Sequence, residues 1–233
     1  MDNRSTVTQA GSQADVSSFL SRVFLWMGLG LAVSAAGSWW LLSQPELLTT
    51  VVKNHWVFFG LVIAELALVI WLSAAAMRMS AGLATGVFLA YSFLNGVTLS
   101  PLFLVYTGSS IVNTFVVTAG AFFFFAVYGL TTKKDLTTMG GLMVMGLIGV
   151  ILASLVNMFL KSAAFDWIIT FVAIAVFLGL IAYDTQKLKR IHAMGFQSPA
   201  DEKRVVILGA LALYLDFINL FIQLLKIFGR RKN

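Results

Sequence analysis

The chain has 233 residues, of which 59% are hydrophobic and 11% charged, with a formal net charge of +6 and no cysteine. Soluble domains carry about 25% charged residues, so this composition excludes an ordinary soluble fold and points to a chain embedded in a bilayer. The lack of cysteine excludes disulfide frameworks, thiolate metal sites and thiol nucleophiles. The basic residues lie beside apolar runs, where orientation and anionic lipid account for them better than nucleic acid does.

In chain order, residues 1–21 are polar, rich in Ser and Gln, and lack the basic start, apolar run and small-residue cleavage site of a signal peptide. They are expected to form a flexible, retained tail. Residues 22–229 are expected to form a single transmembrane domain, followed by a short basic tail at 230–233. Crossing a hydrocarbon core of about 30 Å takes about 20 apolar residues in a helix. Seven segments qualify: 23–42, 56–77, 81–106, 111–130, 139–160, 167–183 and 205–228. The fold class is therefore an all-α integral membrane protein with seven transmembrane helices, and Pro101 marks a kink or an end in the third. Arg4, Arg22, Arg78, Lys133, Lys134 and the basic stretch 187–204 fall on the amino-terminal side. The positive-inside rule puts that side in the cytoplasm. Lys226, Arg230, Arg231 and Lys232 oppose the rule if the last segment crosses, and a re-entrant last helix would return them. The length of 205–228 favours crossing.

A charged side chain at membrane depth costs about 2.5 to 3.5 kcal/mol on insertion scales, so each one needs a partner or an aqueous path. Glu65, in "VIAELALVI", has no charged neighbour in sequence. It either bonds an adjacent helix as the neutral acid or belongs to a proton or cation pathway. In "LYLDFINLF", Asp216 shares a helix face with Gly209, Ala212, Asn219 and Gln223, a stripe that must face protein or water. Asn219 and Gln223 read either as a polar seam between helices or as the lining of an ion pathway. Asp184, in "IAYDTQKLKR", ends the sixth segment, where the bland reading is an interfacial carboxylate paired to Lys187 or Lys189.

The faces formed by Tyr91, Asn95 and Thr98, by Thr114, Thr118 and Ala121, and by Gly146, Gly149, Ala153 and Asn157 read mainly as packing seams. His55 and His192 fall in expected loops and read as solvated. With no phosphate loop, no metal-hydrolase helix and no histidine inside an apolar span to activate a serine, neither an enzyme nor a tightly bound cofactor is expected.

Taken together, "AYDTQKLKR", "LGALALYLDFINLFIQLLKIFG" and "LTTKKDL" (130–136) make the chain resemble the Bax inhibitor, or transmembrane Bax inhibitor motif, family. It is most similar to the bacterial inner-membrane branch. The resemblance implies a last helix at the centre, wrapped by the other six in two triple-helix layers, and a calcium leak sensitive to pH. It implies that Asp184 and Asp216 form a paired pH sensor and gate and offer oxygens to calcium. Arg78 would be the arginine that latches to the pair, and Glu65 the second-helix acid. Calcium enters as the permeant ion. Two carboxylates within hydrogen-bonding range titrate as a unit, which couples conformation to pH. The partners implied are the bilayer, calcium ions and protons. The alternative reading is an interaction protein that binds and modulates other membrane proteins, such as a membrane protease. One estimate opposes the pairing: with the last helix beginning at Val205, Asp216 lies about 16 Å into it, whereas Asp184 sits at the cytoplasmic edge. The two meet only if the last helix begins outside the bilayer or a water-filled vestibule dips inward.

Overall fold

The computed structural model describes the backbone of residues 3–232 and the side chains of residues 15–232. Within them the helices are α1 (Asn3–Leu42), α2 (Pro45–Lys53), α3 (His55–Ala75), α4 (Ala81–Leu99), α5 (Leu102–Val105), α6 (Gly108–Thr131), α7 (Thr137–Leu160), α8 (Ala163–Ala193) and α9 (Pro199–Phe228), with a 3-10 turn at Ala76–Arg78. Among the described residues, seven helical stretches are long and apolar enough to cross a membrane, as the hydropathy pattern predicts. The expected flexible tail differs in part. The backbone is helical from Asn3, and Phe19 and Leu20 are buried, so the end of that segment belongs to the packed structure. The side chains of residues 1–14 lie outside the described residues.

Caps set the helix ends. Asn54 Oδ1 accepts from the Trp56 and Val57 amides at the start of α3, Ser80 Oγ from Leu83 at the start of α4, and Thr107 Oγ1 from Ser110 at the start of α6. Pro101 separates α4 from the single turn of α5, as its ring requires. Two boundaries lie well away from the apolar runs. At the start of α9, the Ser198 hydroxyl accepts from the Asp201 amide and donates to its carboxylate, with Pro199 in the first helical position. The last helix therefore begins six residues before Val205. At the end of α8, Gly195 adopts a φ of 80°, a left-handed stop that only glycine takes readily. The sixth helix thus continues ten residues past Tyr183. His192 lies in this extension rather than in a loop, stacked on Phe19 with a centroid distance of 4.8 Å.

The chain divides into two compact units, residues 1–104 with 189–214, and residues 105–188 with 215–233. In the first, α1 packs along α4 so closely that a Cβ on Gly96 would sit 2.0 Å from the Ser34 carbonyl oxygen. The Ser38 hydroxyl donates to the Gly96 carbonyl across the same contact (2.5 Å). In the second, α6 and α8 approach equally closely, with Gly129 against the Ala182 carbonyl, and Gly140 of α7 lies under the ring of Tyr183. Phe115 and Phe122 of α6 meet Phe217 of α9 edge-on. Of the seven membrane spans, α9 has the most residues buried by protein and α7 the fewest.

Candidate functional site

Asp216 lies in the middle of an apolar helix, 5% exposed, with Phe217, Ile218 and Leu220 buried beside it. Its Oδ2 atom has no hydrogen-bond partner among the described residues. A buried oxygen of this kind is costly to leave unpaired. Asp184, on the neighbouring helix of the same unit, is the ionisable group whose field reaches it. Asp184 is half-buried and also within the field of Lys187, whose ammonium stands 5.8 Å from the Tyr183 ring centroid. Both helices run beyond their apolar segments. Asp184 is not at its helix end but about 14 Å before it, and α9 starts ahead of its apolar run, one of the two arrangements that permit the pair.

The polar stripe on α9 divides. Gln223 Oε1 is buried without a hydrogen-bond partner among the described residues, as Asp216 Oδ2 is. Asn219 instead donates its side-chain amide to the Leu215 carbonyl of its own helix (2.8 Å). Beside Asp184, Gln186 acts as a clip that hydropathy and helical spacing do not reveal. Its Nε2 donates to the Lys134 carbonyl (2.8 Å) and its Oε1 accepts from the Leu136 amide (2.9 Å). The connection between α6 and α7, the "LTTKKDL" segment, is thereby fastened to the helix that carries Asp184. The signal lies in "DTQ", where a glutamine two residues after the acid carries both a donor and an acceptor that a loop backbone can use.

Glu65 belongs to the first unit and has a different kind of surrounding. Thr98 Oγ1 donates to its Oε1 (2.6 Å) and Asn95 Nδ2 to its Oε2 (3.1 Å). Asn95 Oδ1 in turn accepts from the Tyr214 hydroxyl (2.8 Å), which lies 2.6 Å from Ser34 Oγ. A continuous hydrogen-bonded chain therefore joins α3, α4, α9 and α1. Asn95 and Thr98, read from the sequence mainly as packing, are the direct partners of the acid. Ser34 and Tyr214 are the further members of this chain, and the hydropathy of their helices does not distinguish them from packing residues. Arg78 closes the 3-10 turn after α3 with its side chain exposed.

Seven apolar helices with the acids Glu65 and Asp216 buried within their spans define a polytopic membrane protein. A family model described as "Inhibitor of apoptosis-promoting Bax1" matches residues 16–233, and the chain belongs to this Bax inhibitor family. It is 47% identical to the inner membrane protein YbhL of Escherichia coli (strain K12) over 221 residues, covering 94% of each chain. A protein of Borreliella burgdorferi is 41% identical over 215 residues, covering 92% of this chain and 93% of its own. A protein of Deinococcus radiodurans is 40% identical over 225 residues, covering 97% and 96%.

Proposed function

We propose that this protein is a pH-sensitive cation leak, with calcium as the passing ion, in the cytoplasmic membrane of a bacterium, its amino terminus in the cytoplasm. The observation that carries the reading is the buried Asp216, with an oxygen lacking a hydrogen-bond partner and Asp184 as its charged neighbour. Calcium takes about six to eight oxygen ligands. Two carboxylates are too few for a permanent cage, but they suit an ion that pauses and moves on. Protonation changes the repulsion between the two acids, so their arrangement and the conduction they gate depend on pH. In this reading Gln223 and Glu65 offer further oxygens along the pathway, and Arg78 is the cation that latches to the acid pair. The location follows the E. coli relative, whose name places that protein in the inner membrane.

The test is calcium flux into liposomes containing the purified protein, measured across a pH series. Wild type should conduct with a pH-dependent rate, and Asp216→Asn and Asp184→Asn should each abolish that dependence. An unaltered pH profile in both variants rejects the pair as sensor. A second reading, a protein that binds other membrane proteins, is favoured by α7, where Leu142, Met145, Ile148, Leu152 and Phe159 are all exposed. The same aspartate variants separate it, since capture of a partner through α7 does not depend on them.

A further inference from the structure

At the end of the spans opposite the amino terminus, the second unit contains a cavity of about 280 Å³ that the leak does not use. Tyr106, Asp166, Trp167, Thr170, Lys226 and Arg231 line it. The position of Arg231 is fixed by backbone pairing. Residues 230–232 run against the connection between α5 and α6, with an antiparallel bridge between Tyr106 and Arg231. The Thr107 amide donates to the Arg230 carbonyl (3.0 Å), and the Lys232 amide to the Val105 carbonyl (2.8 Å). The Arg230 amide donates to Ser110 Oγ (2.9 Å). The basic carboxy-terminal tail is thus one wall of a built site.

We propose that this cavity binds the headgroup of a zwitterionic phospholipid, a phosphoethanolamine. Its charged lining is two cations and one acid, with Lys226 Nζ 3.3 Å from Asp166 Oδ1. A phosphate seated between Lys226 and Arg231 and an ammonium on Asp166 give an alternating ring of charge, in a cavity that Trp167 and Tyr106 also line. A glycerol headgroup supplies no cation for Asp166. The volume is slightly below the about 300 to 1,000 Å³ of ordinary ligand pockets, which suits a headgroup whose acyl chains stay outside. A surface for those chains adjoins it. Ile168, Phe171 and Phe228 are exposed, and Phe171 stacks on the exposed Trp167 at 5.8 Å, at the level where aromatic side chains mark the membrane interface.

The test is native mass spectrometry of the full chain released from micelles doped with equal amounts of phosphatidylethanolamine and phosphatidylglycerol. Wild type should retain phosphatidylethanolamine in preference. Lys226→Gln and Arg231→Gln should each lower that retention about tenfold, as the loss of a charge-assisted hydrogen bond implies. Asp166→Asn should instead erase the preference between the two lipids. Lys161→Gln, at the same end but outside the cavity, should match wild type, and all variants are compared at equal helical content and melting temperature. Equal retention of both lipids by wild type, or undiminished retention in both cation variants, overturns the proposal. Displacement of the lipid by inorganic phosphate alone also overturns it, because the site would then take free phosphate.

Discussion

Glycine at a helix contact does what no other residue can, and two glycines with the same local sequence character behave oppositely here. A Cβ on Gly96 would meet the Ser34 backbone at 2.0 Å, whereas one on Gly149 would meet nothing within 4 Å. Backbone cannot move aside as a side chain tip can. Gly96→Ala should therefore lower stability by about 1 to 3 kcal/mol, the usual cost of overpacking, while Gly149→Ala should match or exceed wild-type stability by up to about 1 kcal/mol, since alanine is the better helix former. Thermal unfolding in a single detergent compares them. Equal melting of the two variants would refute the close approach of α1 and α4. At this scale the acids were legible in the sequence, because a charge in an apolar run stands out. Their partners were not: Thr98 and Asn95 bond Glu65 from another helix, and nothing near Glu65 in the chain distinguishes them from packing residues.

Among the elements, boundaries were the least legible. Hydropathy sees where apolar residues stop, but a helix stops where its backbone groups find other partners. α8 and α9 extend beyond their apolar runs because Ser198 with Pro199, and Gly195, set the ends. These signals were present in the sequence, in "SPAD" and "AMGF", and a reading weighted toward membrane spans passes over them. The connection between α5 and α6 illustrates the opposite limit, since its pairing with residues 230–232 joins segments more than a hundred residues apart. Truncation after Phe228 removes the carbonyl that the Thr107 amide donates to. Hydrogen exchange at Thr107 should then accelerate, while amides in the middle of α6 keep their protection. Unchanged exchange at Thr107 would mean that residues 230–232 do not hold this connection.

For the whole molecule, membrane topology ties the ends of the chain to the two sides of the bilayer. Seven spans put the two termini on opposite sides, and the basic residues between spans favour a cytoplasmic amino terminus. A reporter fused after Asn233 should accordingly read out on the far side of the membrane. A cytoplasmic readout would contradict this arrangement, because residues 230–232 pair with the connection at Tyr106, at the end of the third span opposite the amino terminus.

The sequence by itself determined the membrane class, the number of spans and which acids fall within apolar runs, because these depend on how apolar residues are distributed along the chain and on the cost of burying charge. It also determined the family, through "LYLDFINLF" and its companions. Only the tertiary structure decided that Asp184 and Asp216 fall within each other's field, that Glu65 is held by Asn95 and Thr98, that Gln186 fastens a loop, and that the basic tail walls a cavity. Each of these joins residues from different helices or from a helix and a distant loop. Such contacts depend on how closely backbones approach and on which side chains then face each other, and helical periodicity constrains only one helix at a time.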